Sequence, residues 1–243
     1  MSQAESPAPV ARTEAHFDDS ASSMRLYYRI VRFFAHWIFI VFFLGRVFGL
    51  RNVPARGGVL LACNHQSFFD PVTTTLALYR EGNYMARDTL FLNPWFKRLI
   101  ESLNAFPVKR GAADIGAVKE IMRRLRAGKV VVVFPEATRT CDGLIGPINA
   151  NSLSIAKKAG VAIVPTVIDG AFESWPRTRA YPLPARMYIT YCEAVTPEQA
   201  REWPLVQLAA VVESRLKDGL VRSRAMRARA AGVHQHEQGE HHL

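Results

Sequence analysis

The sequence predicts an α/β fold: a single, mostly parallel-sheet domain with flanking helices, preceded by an amino-terminal membrane-associated helix. Three observations predict it. Short apolar runs at residues 59–63, 129–134 and 161–168 read as buried strands. Segments of helical spacing lie between them, the alternation that a parallel sheet needs. A denser apolar run at residues 33–44 precedes them all.

Residues 1–23 are rich in Ala, Ser, Pro and acid and read as a tail. They are unlike a secretory signal, which begins basic and turns apolar. In residues 33–44, eleven of twelve positions are apolar, with His36 the exception. Twelve helical residues rise about 18 Å, short of a hydrocarbon core of about 30 Å. A longer helix, from Tyr27 to Leu50, would span only with Arg29, Arg32 and Arg46 snorkelling. Residues 24–50 are therefore expected to form a helix lying in one leaflet, with basic flanks and Tyr27, Tyr28 and Trp37 at the interface. The alternative is a helix buried in the core, since its phenylalanines cover nearly every face.

Residues 51–220 carry the domain. Strands are expected at 59–63, 104–108, 129–134, 161–168 and 187–192. Helices are expected at 71–79, 114–126 and 151–159, then from 197 towards 229 with a break near Pro204. Ile115, Val118, Ile121, Met122 and Leu125 give the second of these its apolar stripe, and Gly128 ends it. Residues 221–243 read as a basic, histidine-containing tail. The four histidines there offer no fixed ligand geometry, so no metal site is assigned.

Composition narrows the function classes. With 49% hydrophobic residues, the 243-residue chain can bury a core and is not a disordered segment. No repeat, glycine period or long heptad run is present. Three widely spaced cysteines make neither a disulfide framework nor a paired metal site. The net charge is +10, yet residues 1–23 carry −3, which leaves +13 on the rest. Such a surface favours an anionic partner: nucleic acid, a phosphorylated substrate or an anionic lipid leaflet.

Four blocks carry chemistry. The first is Asn64-His65-Gln66-Ser67-Phe68-Phe69-Asp70, directly after a predicted strand, where open α/β sheets place functional loops. His65 and Asp70 are five apart, about 140° around a helix, so they meet only if the chain turns between them. Asp70 before Pro71 suits a helix N-cap. A carboxylate on one imidazole nitrogen leaves the other as a base. The alternative is that Asp70 only caps and His65 only packs. The second block is Phe134-Pro135-Glu136-Ala137-Thr138-Arg139-Thr140, after the strongest strand. Arg139 suits a phosphate, while Glu136 suits a hydroxyl or a pairing with Arg139. Lys109-Arg110-Gly111 is a weaker phosphate candidate, and Pro165 lies inside a predicted strand. Cys63 stands two residues before His65, but its place at a strand end points it into the packing rather than at a Cys–His pair.

The ordered set NHQSFFD, PVKRG, FPEATRT and IVPT resembles the glycerolipid acyltransferases over about residues 50–195. The resemblance implies that His65 is the general base and Asp70 orients it. It implies that Lys109 and Arg110 bind the acceptor phosphate, that Glu136, Thr138 and Arg139 position the headgroup, and that Pro165 lies in a block associated with acyl-donor binding or site shape. The reaction implied is O-acylation of a lyso-lipid by acyl-CoA or acyl-carrier-protein, with no acyl-enzyme, cofactor or metal. The first-choice acceptor is 1-acyl-glycerol-3-phosphate (lysophosphatidic acid), to give phosphatidic acid. The alternatives are a lyso-aminolipid such as lyso-ornithine lipid, another lysophospholipid and, last, a non-catalytic membrane or nucleic-acid binding module. A bilayer acceptor, a water-borne donor and reduced cysteines together imply the cytoplasmic face of the inner membrane, with its anionic surface as a partner. Nucleic acid is disfavoured. Two departures stand out: Ala137 where the family has glycine, and Thr140 where it has serine.

Overall fold

The computed structural model describes residues 26–108 and 114–232. The amino-terminal tail, Lys109, Arg110 and the terminal histidines lie outside the described residues.

The core strands are β2 (Val59–Cys63), β5 (Val130–Val133), β6 (Ala162–Asp169) and β7 (Tyr188–Tyr191), buried at every position. Outside them lie β1 (Arg46–Phe48), β3 (Gly82–Arg87) and β4 (Ala105–Val108). The seven strands run in the order β1-β7-β6-β2-β5-β3-β4. All neighbours are parallel except β6 and β7.

Continuous apolar strands need cover on both faces, because successive residues point to opposite sides. On one face Leu60, Ala62, Val131, Val133 and Ile163 pack beneath α4 (Ile115–Arg126), α5 (Ala150–Ala159) and α8 (Leu205–Ala230). On the other face Leu61, Val130, Val132 and Ile168 pack against Leu76, Leu78 and Phe39 of α1 (Leu26–Phe43).

The predicted helix of residues 24–50 ends earlier, at Phe43, and its last part forms edge strand β1. Gly45 permits this reversal, since a Cβ there would lie 2.2 Å from the Phe39 ring. Phe33, Phe34, Trp37, Val41 and Phe42 are each more than half exposed, so the core does not surround α1. No helix among the described residues is long and apolar enough to cross a membrane.

Besides β1, four elements differ from the sequence expectation, among them the unexpected α6 (Ala171–Ser174), one helical turn after β6. The helix expected at 71–79 is only α2 (Asp70–Thr73), followed by tight turns. Thr73 and Thr74 hydroxyls bond back to the Asp70 carbonyl, and such bonds compete with helix propagation. Strand β3, absent from the prediction, has little apolar pattern of its own. It is held by pairing to β5 and by the Asn83 side chain, whose Nδ2 donates to the Val130 carbonyl at 2.9 Å. Helix α3 (Pro94–Ser102) buries no residue, yet Asn93 caps it and Pro94 opens it. That start signal was legible in the sequence.

The carboxy-terminal helices fall as expected, with α7 (Pro197–Glu202) separated from α8 at Pro204. The expected tail boundary at 221 is displaced, because residues 221–230 are the last turns of α8. Two of the four arginines in this segment turn back onto the domain. Arg227 Nε donates to Asp169 Oδ2 at 3.0 Å, and Arg224 Nη2 donates to the Gly143 carbonyl at 2.7 Å.

Candidate active site

Strands β2 and β5 are parallel neighbours with Ala62 opposite Val133. The blocks that follow them therefore emerge side by side at one edge of the sheet. His65 Nδ1 lies 2.8 Å from Asp70 Oδ2. The chain turns between the two because the same oxygen accepts the amides of Gln66 at 2.6 Å and Ser67 at 2.7 Å. Asp70 is thus the first residue of α2, and its carboxylate folds back over its own loop. The N-cap is Phe69, with no side-chain cap, so the expected capping by Asp70 is replaced by loop closure. Asp70 is 0% exposed, and burial pushes its pKa up against the opposing bonds from His65 and the two amides. With a carboxylate on Nδ1, the proton is assigned to Nδ1 and the lone pair to Nε2. The His65 ring stacks on Phe134, with centroids 4.1 Å apart.

The two blocks interlock at further points. Glu136 Oε1 accepts the His65 amide and its Oε2 accepts the Gly146 amide, both at 2.8 Å. The Thr140 amide donates to the His65 carbonyl at 2.8 Å. Both Glu136 oxygens are therefore engaged by backbone, so the residue ties the two loops together, and each oxygen keeps a second lone pair. Burial raises its pKa, and the two amides oppose that rise. The Arg139 guanidinium sits 3.6 Å over the Phe68 ring centroid. Thr138 is exposed and Arg139 half-buried, at the same edge.

Other sequence candidates fall elsewhere. Pro165 is buried within β6 opposite Ala62. Cys63 is fully buried, and burial raises its thiol pKa strongly. A thiol so protonated is no nucleophile.

A family model described as Acyltransferase matches residues 46–169, more than half of the chain. The chain belongs to the acyltransferase family. A 1-acyl-sn-glycerol-3-phosphate acyltransferase of Bacillus subtilis is 29% identical over 126 residues, covering 51% of this chain and 62% of that protein. A chloroplastic enzyme of the same name from Arabidopsis thaliana is 30% identical over 131 residues, covering 53% of this chain and 36% of that protein. The chain thus matches less than two thirds of either relative's length. The crystal structure of the 1-acyl-sn-glycerophosphate (LPA) acyltransferase PlsC from Thermotoga maritima superposes with a TM-score of 0.70 at 28% identity. That match covers 82% of this chain and 80% of the other.

Two residues of the first block carry contacts that the sequence does not predict. The Asn64 side chain continues the sheet beyond β2, donating to the Ile168 carbonyl at 2.9 Å and accepting its amide at 2.7 Å. Gln66, 1% exposed, donates to the Gly143 carbonyl at 2.9 Å, the oxygen that Arg224 also holds. Their partners are about 80 to 100 residues away in the chain, which no local pattern reveals.

The departure at Ala137 has a structural counterpart. Its φ is +60°, the left-handed region, where the family's glycine carries no penalty. This conformation costs an L-residue about 1–2 kcal/mol. Glycine's extra unfolded-state entropy returns about 0.5–1 kcal/mol of that. The central values leave about 0.75 kcal/mol, so Ala137→Gly is expected to raise the thermal midpoint by about 1.5–3 °C for a chain of this size. Differential scanning calorimetry checks this, and an unchanged or lower midpoint refutes it.

Proposed function

We propose that this protein transfers a fatty acyl group from acyl-CoA or acyl-carrier-protein to the free hydroxyl of a lyso-lipid, with 1-acyl-glycerol-3-phosphate as first acceptor. The observation that carries the reading is the His65–Asp70 pair, with a carboxylate on Nδ1 and Nε2 left as a base. His65 Nε2 takes the hydroxyl proton as the oxygen attacks the thioester carbonyl. A C–O bond forms, the C–S bond breaks, and the proton passes from Nε2 to the departing thiolate. A thioester is already activated, so alignment and deprotonation are the main needs. Asp70 holds the ring and stabilises its charged form. Arg139, with Lys109 and Arg110, takes the acceptor phosphate.

The exposed aromatic face of α1 supports docking in one leaflet, which brings a bilayer acceptor and a water-borne donor to one edge of the sheet. Basic charge on the chain suits an anionic inner-membrane surface on its cytoplasmic side.

Ala137 favours one second reading, acylation of a lyso-aminolipid, because it adds an exposed methyl group to the loop that carries Arg139. Purified protein in mixed micelles, given labelled acyl-CoA or acyl-carrier-protein with lysophosphatidic acid or lyso-ornithine lipid, separates the two. Phosphatidic acid formation supports the first reading. Product from the aminolipid alone overturns the acceptor, and no product from any pairing overturns the function.

A further inference from the structure

We propose that Phe68 is a positioning residue for acceptor recognition: its ring fixes the Arg139 guanidinium beside the His65 loop, ready for an anionic headgroup. The inference rests on the reading that Arg139 takes the acceptor phosphate. Phe68 is 49% exposed, although Ser67 and Asp70 in the same loop are fully buried. The loop therefore turns this ring outward, and Arg139 lies against its face with the guanidinium carbon 3.6 Å from the centroid. That is well within the range of about 6 Å for cation–π attraction.

Stacking suits a phosphate-binding arginine for a geometric reason. The ring engages the guanidinium face, whereas the N–H donors radiate in the guanidinium plane. A planar fork held by its face keeps the edge-on geometry that bidentate phosphate contact needs. Holding the long side chain beforehand also lowers the ordering cost of binding.

The Phe68 ring is itself in aromatic contact. The Trp175 ring centroid lies 4.9 Å from that of Phe68 and 4.9 Å from that of Phe69. The Trp175 indole donates to the Arg179 carbonyl at 3.2 Å, and Phe69 meets Phe43 at the end of α1 at 5.3 Å. An aromatic ladder thus runs from α1 to Arg139. It places the arginine by contacts that reach across three separate stretches of the chain.

The test is steady-state kinetics of the full chain in mixed micelles, with lysophosphatidic acid and acyl donor varied separately. Phe68→Leu removes the π face and keeps an apolar side chain. It is expected to raise KM for lysophosphatidic acid about tenfold, with a smaller change in kcat and in donor KM. Phe68→Tyr, which restores the face, is expected to recover the acceptor KM. Thermal melts of both variants confirm folding, and Phe68→Met serves as a second π-free variant if Phe68→Leu melts low. Arg139→Lys is run in parallel. If it raises acceptor KM while Phe68→Leu and Phe68→Met do not, the positioning inference is overturned and the headgroup role of Arg139 stands. If Arg139→Lys leaves acceptor KM unchanged, the headgroup role fails and the inference with it. Equal losses in kcat and both KM values, or no recovery in Phe68→Tyr, also overturn the inference.

Discussion

Replacing His65 with alanine is expected to lower acyl transfer by about 10²- to 10⁴-fold, the usual contribution of a positioned general base. The fold should persist. His65 is 15% exposed and stands at the edge of a sheet whose core strands it does not enter. Removing the ring takes away a hydrogen bond that opposes the rise in the buried Asp70 pKa, so the carboxyl keeps its proton to higher pH than in the wild type. The loss of one charge-assisted hydrogen bond is worth about 1.5–3 kcal/mol, a fall of roughly 3–12 °C in melting temperature. Activity in micelles and a thermal melt on the same preparation check both halves. A folded His65→Ala variant that turns over at the wild-type rate removes His65 from the reaction.

Asp70→Asn is the second large effect, and it should move activity and stability in opposite directions. Oδ2 takes all three bonds, from His65, Gln66 and Ser67, while Oδ1 has no hydrogen-bond partner among the described residues. An asparagine with its oxygen in the Oδ2 place keeps both loop amides and the turn they make. It lacks the charge that would stabilise a protonated His65, so activity should fall by about 10²-fold or more.

The stability sign follows from the raised pKa of Asp70. Between the unfolded value, about 3.9, and the raised folded value, the folded chain binds the extra proton and the unfolded chain does not. The stability associated with that proton is complete below this window and is lost as pH rises through it. Asparagine carries no charge and escapes the loss. The variant should melt at or above the wild type at neutral pH, and the difference should shrink as pH falls towards about 4. Melting curves at several pH values check this. A variant that melts well below wild type at neutral pH would show that the carboxylate stabilises the fold.

The legible part of this protein was the part written in short-range patterns. The continuous apolar runs of β2, β5 and β6 announce strands buried on both faces, and they fall where expected within a residue or two. The stripe of Ile121 and Leu125, ended near Gly128, announces α4. Elements with weak patterns of their own were not legible. β3 is a strand because β5 and β4 pair with it, and β1 is three residues recruited to the sheet edge by β7. Helix α2 is short because threonine hydroxyls compete for its carbonyls, a matter of side-chain geometry as much as propensity.

The candidate site divides in the same way. By itself the sequence determined which residue types are present and that two loops follow two strong strands, because strand periodicity and motif spacing are local properties. It also marked Ala137 as an alanine at a glycine position. Tertiary structure alone decided that β2 and β5 are parallel neighbours, which brings His65 onto Phe134 and its amide onto Glu136. It alone tied Glu136 to the His65 and Gly146 amides, turned Arg224 and Arg227 back onto the domain, and stacked Arg139 on Phe68. The physical reason is one of reach. A side chain acts on whatever lies within a few ångströms of it, and in a parallel sheet those neighbours come from strands far apart in the chain.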